Sequence, residues 1–154
     1  MSRRIARETA LKTLFQQEFQ EITPDQALPI SLEEAEMTDN DFIFAKSIIA
    51  GVNEHRPQLD STLNEFAVDW KMDRIARLER TILRMALYEL MFLNDVPVGV
   101  TVNEAIEIAK IYSTQEASKF INGILGNVVQ HMKFMGKKVN PNDSETGKAL
   151  DLGH

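Results

Sequence analysis

The chain of 154 residues suits one hydrophobic core, and its lack of cysteine excludes disulfides, thiolate nucleophiles and cysteine-ligated metal clusters. Its net charge of −6, from 17 basic and 23 acidic residues, argues against a uniformly basic nucleic-acid binder. That average hides a segregation: Arg3, Arg4, Arg7 and Lys12 face only Glu8 at the start, whereas residues 18–65 carry eleven acids against Lys46 and Arg56.

Arg7 and Glu8 interrupt any apolar core that a secretory signal would need. The longest apolar stretch, Met85 to Leu93, contains Glu89 and is far shorter than the ~20 residues that span a bilayer. The expectation is a cytoplasmic protein with no membrane segment.

Glycine and proline fall between apolar-periodic stretches, and alternating β-branched runs are nearly missing, so the chain reads as all-α. A first helix is expected from Arg3 to Phe19 with Ser2 as its N-cap, followed by a loop marked by Pro24 and Pro29. Thr38 should cap a second helix that runs to Glu54, with Asp39 and Asp41 at the positive end of its dipole. Pro57 suits the first turn of a third, to Phe66, because its missing N–H would be unpaired there anyway.

Between Arg74 and Leu93 lies the most apolar helix, which belongs in the centre of the fold. Asn94 to Gly99 breaks the chain, Val98 to Val102 reads as a loop, and Thr101-Val102-Asn103-Glu104 reads as a capping box for a helix to Tyr112. Ser113-Thr114-Gln115-Glu116 repeats that pattern before a last helix, from near Thr114 to Phe134. Gly123 and Gly126 share one face of it, and close helix packing is the expected compensation for their poor helix propensity. After Gly136 the sequence holds too few apolar groups to join a core.

At about 100° per residue, Arg3 and Arg7 lie on the same stripe as Ala10 and Leu14. Arginine does not suit a core, so the first two turns are expected to project past the bundle, with their charge where the helix dipole disfavours it. Two readings remain open there, a solvated terminal turn and a phosphate or RNA contact. Arg74, Arg77, Arg80 and Arg84 form a second basic stripe, expected to be solvated or paired with Asp73 and other acids.

Glu79 points away from that stripe, either at the rim of the bundle or held by a partner, and Phe66 and Trp70 read as core or rim aromatics. Lys119 beside Phe120 could serve phosphate and base respectively, although Phe120 in isolation reads as core. Asn122 suits either contact between helices or base reading, and Glu104 is accounted for by its capping box. His55, His131 and His154 lack metal-ligand spacing, Glu33, Glu34 and Glu36 resemble a solvated loop, and no phosphate loop or nucleophile elbow occurs. No enzyme activity, catalytic residue, metal or cofactor is expected.

Five stretches occur in a specific order: Arg3 to Gln16, Ile82 to Leu90, Asp95-Val96-Pro97, Val102 to Lys110 and Lys119 to Leu125. Over about residues 2–132 they resemble the NusB family of antitermination factors. The resemblance implies a compact single all-α domain of about seven helices in two sub-bundles, over residues 1–135, with a tail at 136–154. It implies binding of a boxA-type single-stranded leader RNA together with NusE, a small-subunit ribosomal protein. The pair would join RNA polymerase with other Nus factors during ribosomal RNA transcription.

Position by position, the resemblance assigns Arg3, Arg4 and Arg7 to one RNA-contacting patch, and Lys119 and Phe120, with Glu116 at the edge, to a second. It assigns Glu79, and with a weaker match Phe66, to the face that meets NusE. The chain also resembles the N-terminal part of a ribosomal RNA cytosine methyltransferase, whose catalytic domain has no counterpart in these residues. The expectation is therefore an adaptor, and the alternative is a homodimerising helical protein with an occluded RNA face.

Overall fold

Thr38 starts a helix by a local device: its hydroxyl oxygen accepts the Asp41 N–H at 3.1 Å, while Asp39 and Asp41 lie in the first turn. The helix that follows, like every regular element among the described residues, is α-helical. The computed structural model describes residues 3–20, 37–67 and 75–134. Its helices are α1 (Arg4–Gln20), α2 (Asp39–Glu54), α3 (Arg56–Phe66), α4 (Arg77–Phe92), α5 (Val98–Tyr112) and α6 (Gln115–Phe134). The all-α expectation holds, with six helices among the described residues against about seven expected.

Several expectations fall outside the described residues: Ser2, Pro24, Pro29, Glu33, Glu34, Glu36, Trp70, Asp73, Arg74 and the segment 136–154.

The chain divides into two compact units, residues 1–56 and 57–154. In the first, α1 packs on α2. Ala6, Ala10 and Ala45 are fully buried beside Ile48 and Leu11, and their small side chains let two helices approach closely. Several polar groups in this unit are satisfied within it, while Gln16 Oε1 is buried with no hydrogen-bond partner among the described residues. The Thr13 hydroxyl donates to the Thr9 carbonyl at 2.9 Å, and the Asn53 amide donates to Gln17 Oε1 at 3.1 Å and to the Ile49 carbonyl at 3.0 Å. Arg56 pairs with Glu18.

In the second unit α4, α5 and α6 pack on one another, α5 against α6 most extensively. From Thr81 to Leu87 every residue of α4 is buried, as an apolar circumference predicts. Leu83, Leu87 and Leu90 meet a core that also contains Leu59, Leu63, Ile121 and Leu125. Among the described residues of this unit Glu79, Arg84, Glu89 and Glu104 are buried and charged. The buried Arg84 guanidinium donates to both carboxylate oxygens of Asp60 on α3, at 2.7 and 3.1 Å. Glu89, only 2% exposed, accepts the Thr101 hydroxyl at 3.0 Å.

Thr101 corrects the sequence reading of α5. The helix begins at Val98, and Pro97 occupies the N-cap position without a side-chain cap bond, its carbonyl accepting the Val100 and Thr101 N–H groups at 3.1 and 3.2 Å. Val98 to Val102 is thus helix and not loop, Thr101 stands inside it, and the Thr101 to Glu104 pattern is no capping box. Glu104 is buried instead. At the next junction Thr114, and not Ser113, caps α6, accepting the Ala117 N–H at 2.9 Å.

Close packing around the glycines of α6 is also corrected. Among the described residues a β-carbon at Gly123 or Gly126 would meet nothing within 4 Å, so no described helix requires either glycine. No helix among the described residues is long and apolar enough to cross a membrane.

Candidate nucleic-acid interface

The first patch is built where α1 begins with three arginines and no acid in its first turn. Arg3 is exposed, Arg4 half-buried and Arg7 only 3% exposed. The expectation that these arginines project beyond the bundle therefore fails for Arg7. Its guanidinium lies 5.1 Å from the ring centre of Phe44, a buried residue of α2, and the Arg3 guanidinium lies 4.2 Å from the same centre. The ring face attracts both cations, which is how a basic residue occupies an apolar stripe. Periodicity had placed Arg7 with Ala10 and Leu14, but nothing local in the sequence identifies Phe44 as its support.

The second patch is the first two turns of α6. Glu116, Lys119 and Phe120 are spaced i, i+3 and i+4 and share one face, Glu116 and Lys119 exposed and Phe120 half-buried. Asn122 and Gly123 are exposed as well, so Asn122 is not glue between helices. The Ser118 hydroxyl donates to the Gln115 carbonyl at 2.6 Å within the same turn. This face offers a cation, part of an aromatic surface and an uncovered backbone at Gly123, the groups with which proteins meet phosphate and base.

The positions assigned to a protein partner are placed differently from expectation. Glu79 is not a solvated rim residue: it is 9% exposed, and its Oε1 accepts the Ser113 hydroxyl. Its Oε2 is buried with no hydrogen-bond partner among the described residues. Phe66, at the end of α3, is half-buried and meets His131 edge-on at 5.2 Å. Phe66, Phe92, His131 and Met132 line a pocket of about 530 Å³ whose rim carries Glu65 and Asn94. Glu79 and Phe66 stand on different helices with different neighbours.

The second basic stripe is resolved as paired more than solvated. Arg77 is exposed, Arg80 donates to the Ile75 carbonyl at 3.0 Å, and Arg84 pairs with Asp60, while the expected Asp73 lies outside the described residues. Among the described residues no group of three or more His, Asp or Glu side chains is arranged to hold a metal ion.

The NusB family model matches residues 4–130. A transcription antitermination protein NusB of Bacillus pumilus is 42% identical over 133 residues, which cover 86% of this chain and 98% of the relative. The solved structure of NusB from T. maritima superposes with a TM-score of 0.75 at 36% identity, over 83% of this chain and 90% of that one. A chain from the crystal structure of antitermination factors NusB and NusE in complex with double-stranded RNA gives a TM-score of 0.75 at 26% identity, over 82% of this chain and 94% of that one.

Proposed function

The chain belongs to the NusB family, and on that premise we propose that it is a cytoplasmic, non-catalytic transcription antitermination adaptor. It binds boxA-type single-stranded leader RNA together with NusE and joins RNA polymerase with other Nus factors in ribosomal RNA transcription. The functional domain is residues 1–135.

The observation that carries the RNA reading is the start of α1, where an exposed Arg3 is gathered with Arg7 over one ring in a chain of net negative charge. That cluster lies at a helix end whose dipole disfavours positive charge, and the planar fork of the exposed Arg3 suits a phosphate met there. Lys119 and Phe120 supply the second contact, and Glu116 lies at its edge. Glu79 and Phe66 serve NusE, Glu79 through the side of the α5–α6 corner that it holds.

Titration of U/A-rich single-stranded RNA with the chain and NusE, at several salt concentrations, tests this reading. Arg3→Ala and Lys119→Ala alter exposed residues and leave the buried Arg7 in place. Each is expected to weaken binding and to reduce the salt slope by about 0.7, the contribution of one phosphate contact on a single strand. Unchanged affinity and slope in both variants would remove the two patches from the RNA site. Glu79→Gln should weaken NusE capture while the isolated chain keeps its RNA affinity. Light scattering of the isolated chain separates the adaptor from an occluded homodimer, which would bind RNA only on dissociation.

A further inference from the structure

We infer that Phe44 is the positioning residue of RNA capture, holding the exposed Arg3 guanidinium in a fixed arrangement just ahead of α1 so that phosphate meets a preset cation. This inference rests on the RNA-binding reading above. Phe44 itself is 7% exposed and belongs to α2, so it acts through Arg3 and not by touching RNA.

The physical case begins with the cost of an unrestrained arginine at a helix end. Its many rotamers are lost when it binds, and that loss subtracts from affinity. A ring held 4.2 Å from the Arg3 guanidinium restricts those rotamers in advance. The attraction of a ring face consumes none of the N–H donors of the fork, which stay suited to phosphate oxygens. Arg7, whose guanidinium lies 5.1 Å from the same ring, is 3% exposed and makes further interactions of its own, so Arg3 is the cation that the ring presents to solvent.

A Phe that only filled the core would be replaceable by a leucine, whereas one that orients cations requires an aromatic face. RNA affinity of the full chain with NusE is therefore measured for Phe44→Leu, Phe44→Tyr, Arg3→Ala and the Phe44→Leu/Arg3→Ala pair. Phe44→Leu should weaken binding roughly 3- to 10-fold, the range of one to two exposed cation–π contacts. Phe44→Tyr should stay within about 2-fold, since the ring remains. In the Arg3→Ala background the Phe44→Leu effect should shrink by about half or more, because the two act through one interaction.

If wild type binds and Arg3→Ala weakens binding, yet Phe44→Leu matches wild type or its effect multiplies independently, the positioning role is overturned and the RNA reading stands. If the wild-type complex does not bind the RNA, the RNA reading itself fails. Should Phe44→Leu not fold, the ring-current shift of the Arg3 Nε–H in wild type decides the matter. A displaced resonance that persists at RNA saturation supports the role, and an undisplaced one overturns it.

Discussion

Replacing Asp60 by alanine should expose how much the second unit depends on one ion pair. Arg84 reaches Asp60 with two parallel donors at 2.7 and 3.1 Å, its side chain 6% exposed against 31% for Asp60. Breaking a fully buried pair costs about 3–5 kcal/mol, because the remaining charge is left uncompensated in a poor solvent for it. Here water reaches the Asp60 side and takes over part of that solvation, which reduces the expected loss to about 2 kcal/mol. At about 2–4 °C per kcal/mol for a chain of this size class, the midpoint of thermal unfolding should fall by roughly 4–8 °C.

Urea unfolding followed by circular dichroism measures the loss directly. Arg84→Met alone should also destabilise, since Arg84 makes further interactions. In the double variant most of the Asp60→Ala cost should disappear, with a coupling of about 2 kcal/mol, because the stranded charge has gone. An Asp60→Ala protein within about 0.5 kcal/mol of wild type, or additive single effects, would refute the reasoning.

Thr101→Val removes a donor from the buried Glu89 carboxylate and should cost about 1–3 kcal/mol in urea unfolding, while Thr101→Ser should retain most of the stability. Gly123→Ala should raise stability by about 0.5–1 kcal/mol, since the added methyl meets nothing and the helix loses a flexible residue. Thermal unfolding checks the sign, and a loss would mean that a neighbour does crowd that face. Thr114→Ala removes the cap of α6 and should cost about 1 kcal/mol by the same measurement.

The sequence reading succeeded where structure is decided within one turn of helix. The Thr38 cap, the Pro57 start and the all-round burial of α4 follow from neighbouring residues alone. It failed where a side chain is claimed by a distant one. Thr101 fits a capping pattern locally, but its hydroxyl is engaged by Glu89, twelve positions earlier and on another helix. Arg7 carried the right periodicity for burial, and its charge argued against it until Phe44 came into view. Glycine in a helix suggested a close neighbour, yet poor propensity states only a cost, not its reason.

For the candidate site the division is similar. Charge segregation and the dipole argument single out the arginines of α1 without any family knowledge. Lys119 beside Phe120 is open to an RNA reading from the residues alone, but its assignment, like the roles of Glu79 and Phe66, came from resemblance, because each residue alone has an ordinary structural explanation. Ser113 went unnoticed as the residue that holds Glu79, since a serine in a capping pattern gives no sign of an engagement 34 positions away.

Two consecutive hydroxyls at the α5–α6 corner have different obligations. Ser113 donates its backbone N–H to the Ala109 carbonyl and its side chain to Glu79, while Thr114 caps the helix that carries Lys119. The connection is therefore fixed in length as well as in composition. One inserted residue would turn α6 by about 100° relative to that anchor and carry Lys119 off its exposed face. Related chains should thus keep the residue number between Tyr112 and Gln115, which makes this corner a ruler against which natural insertions can be read.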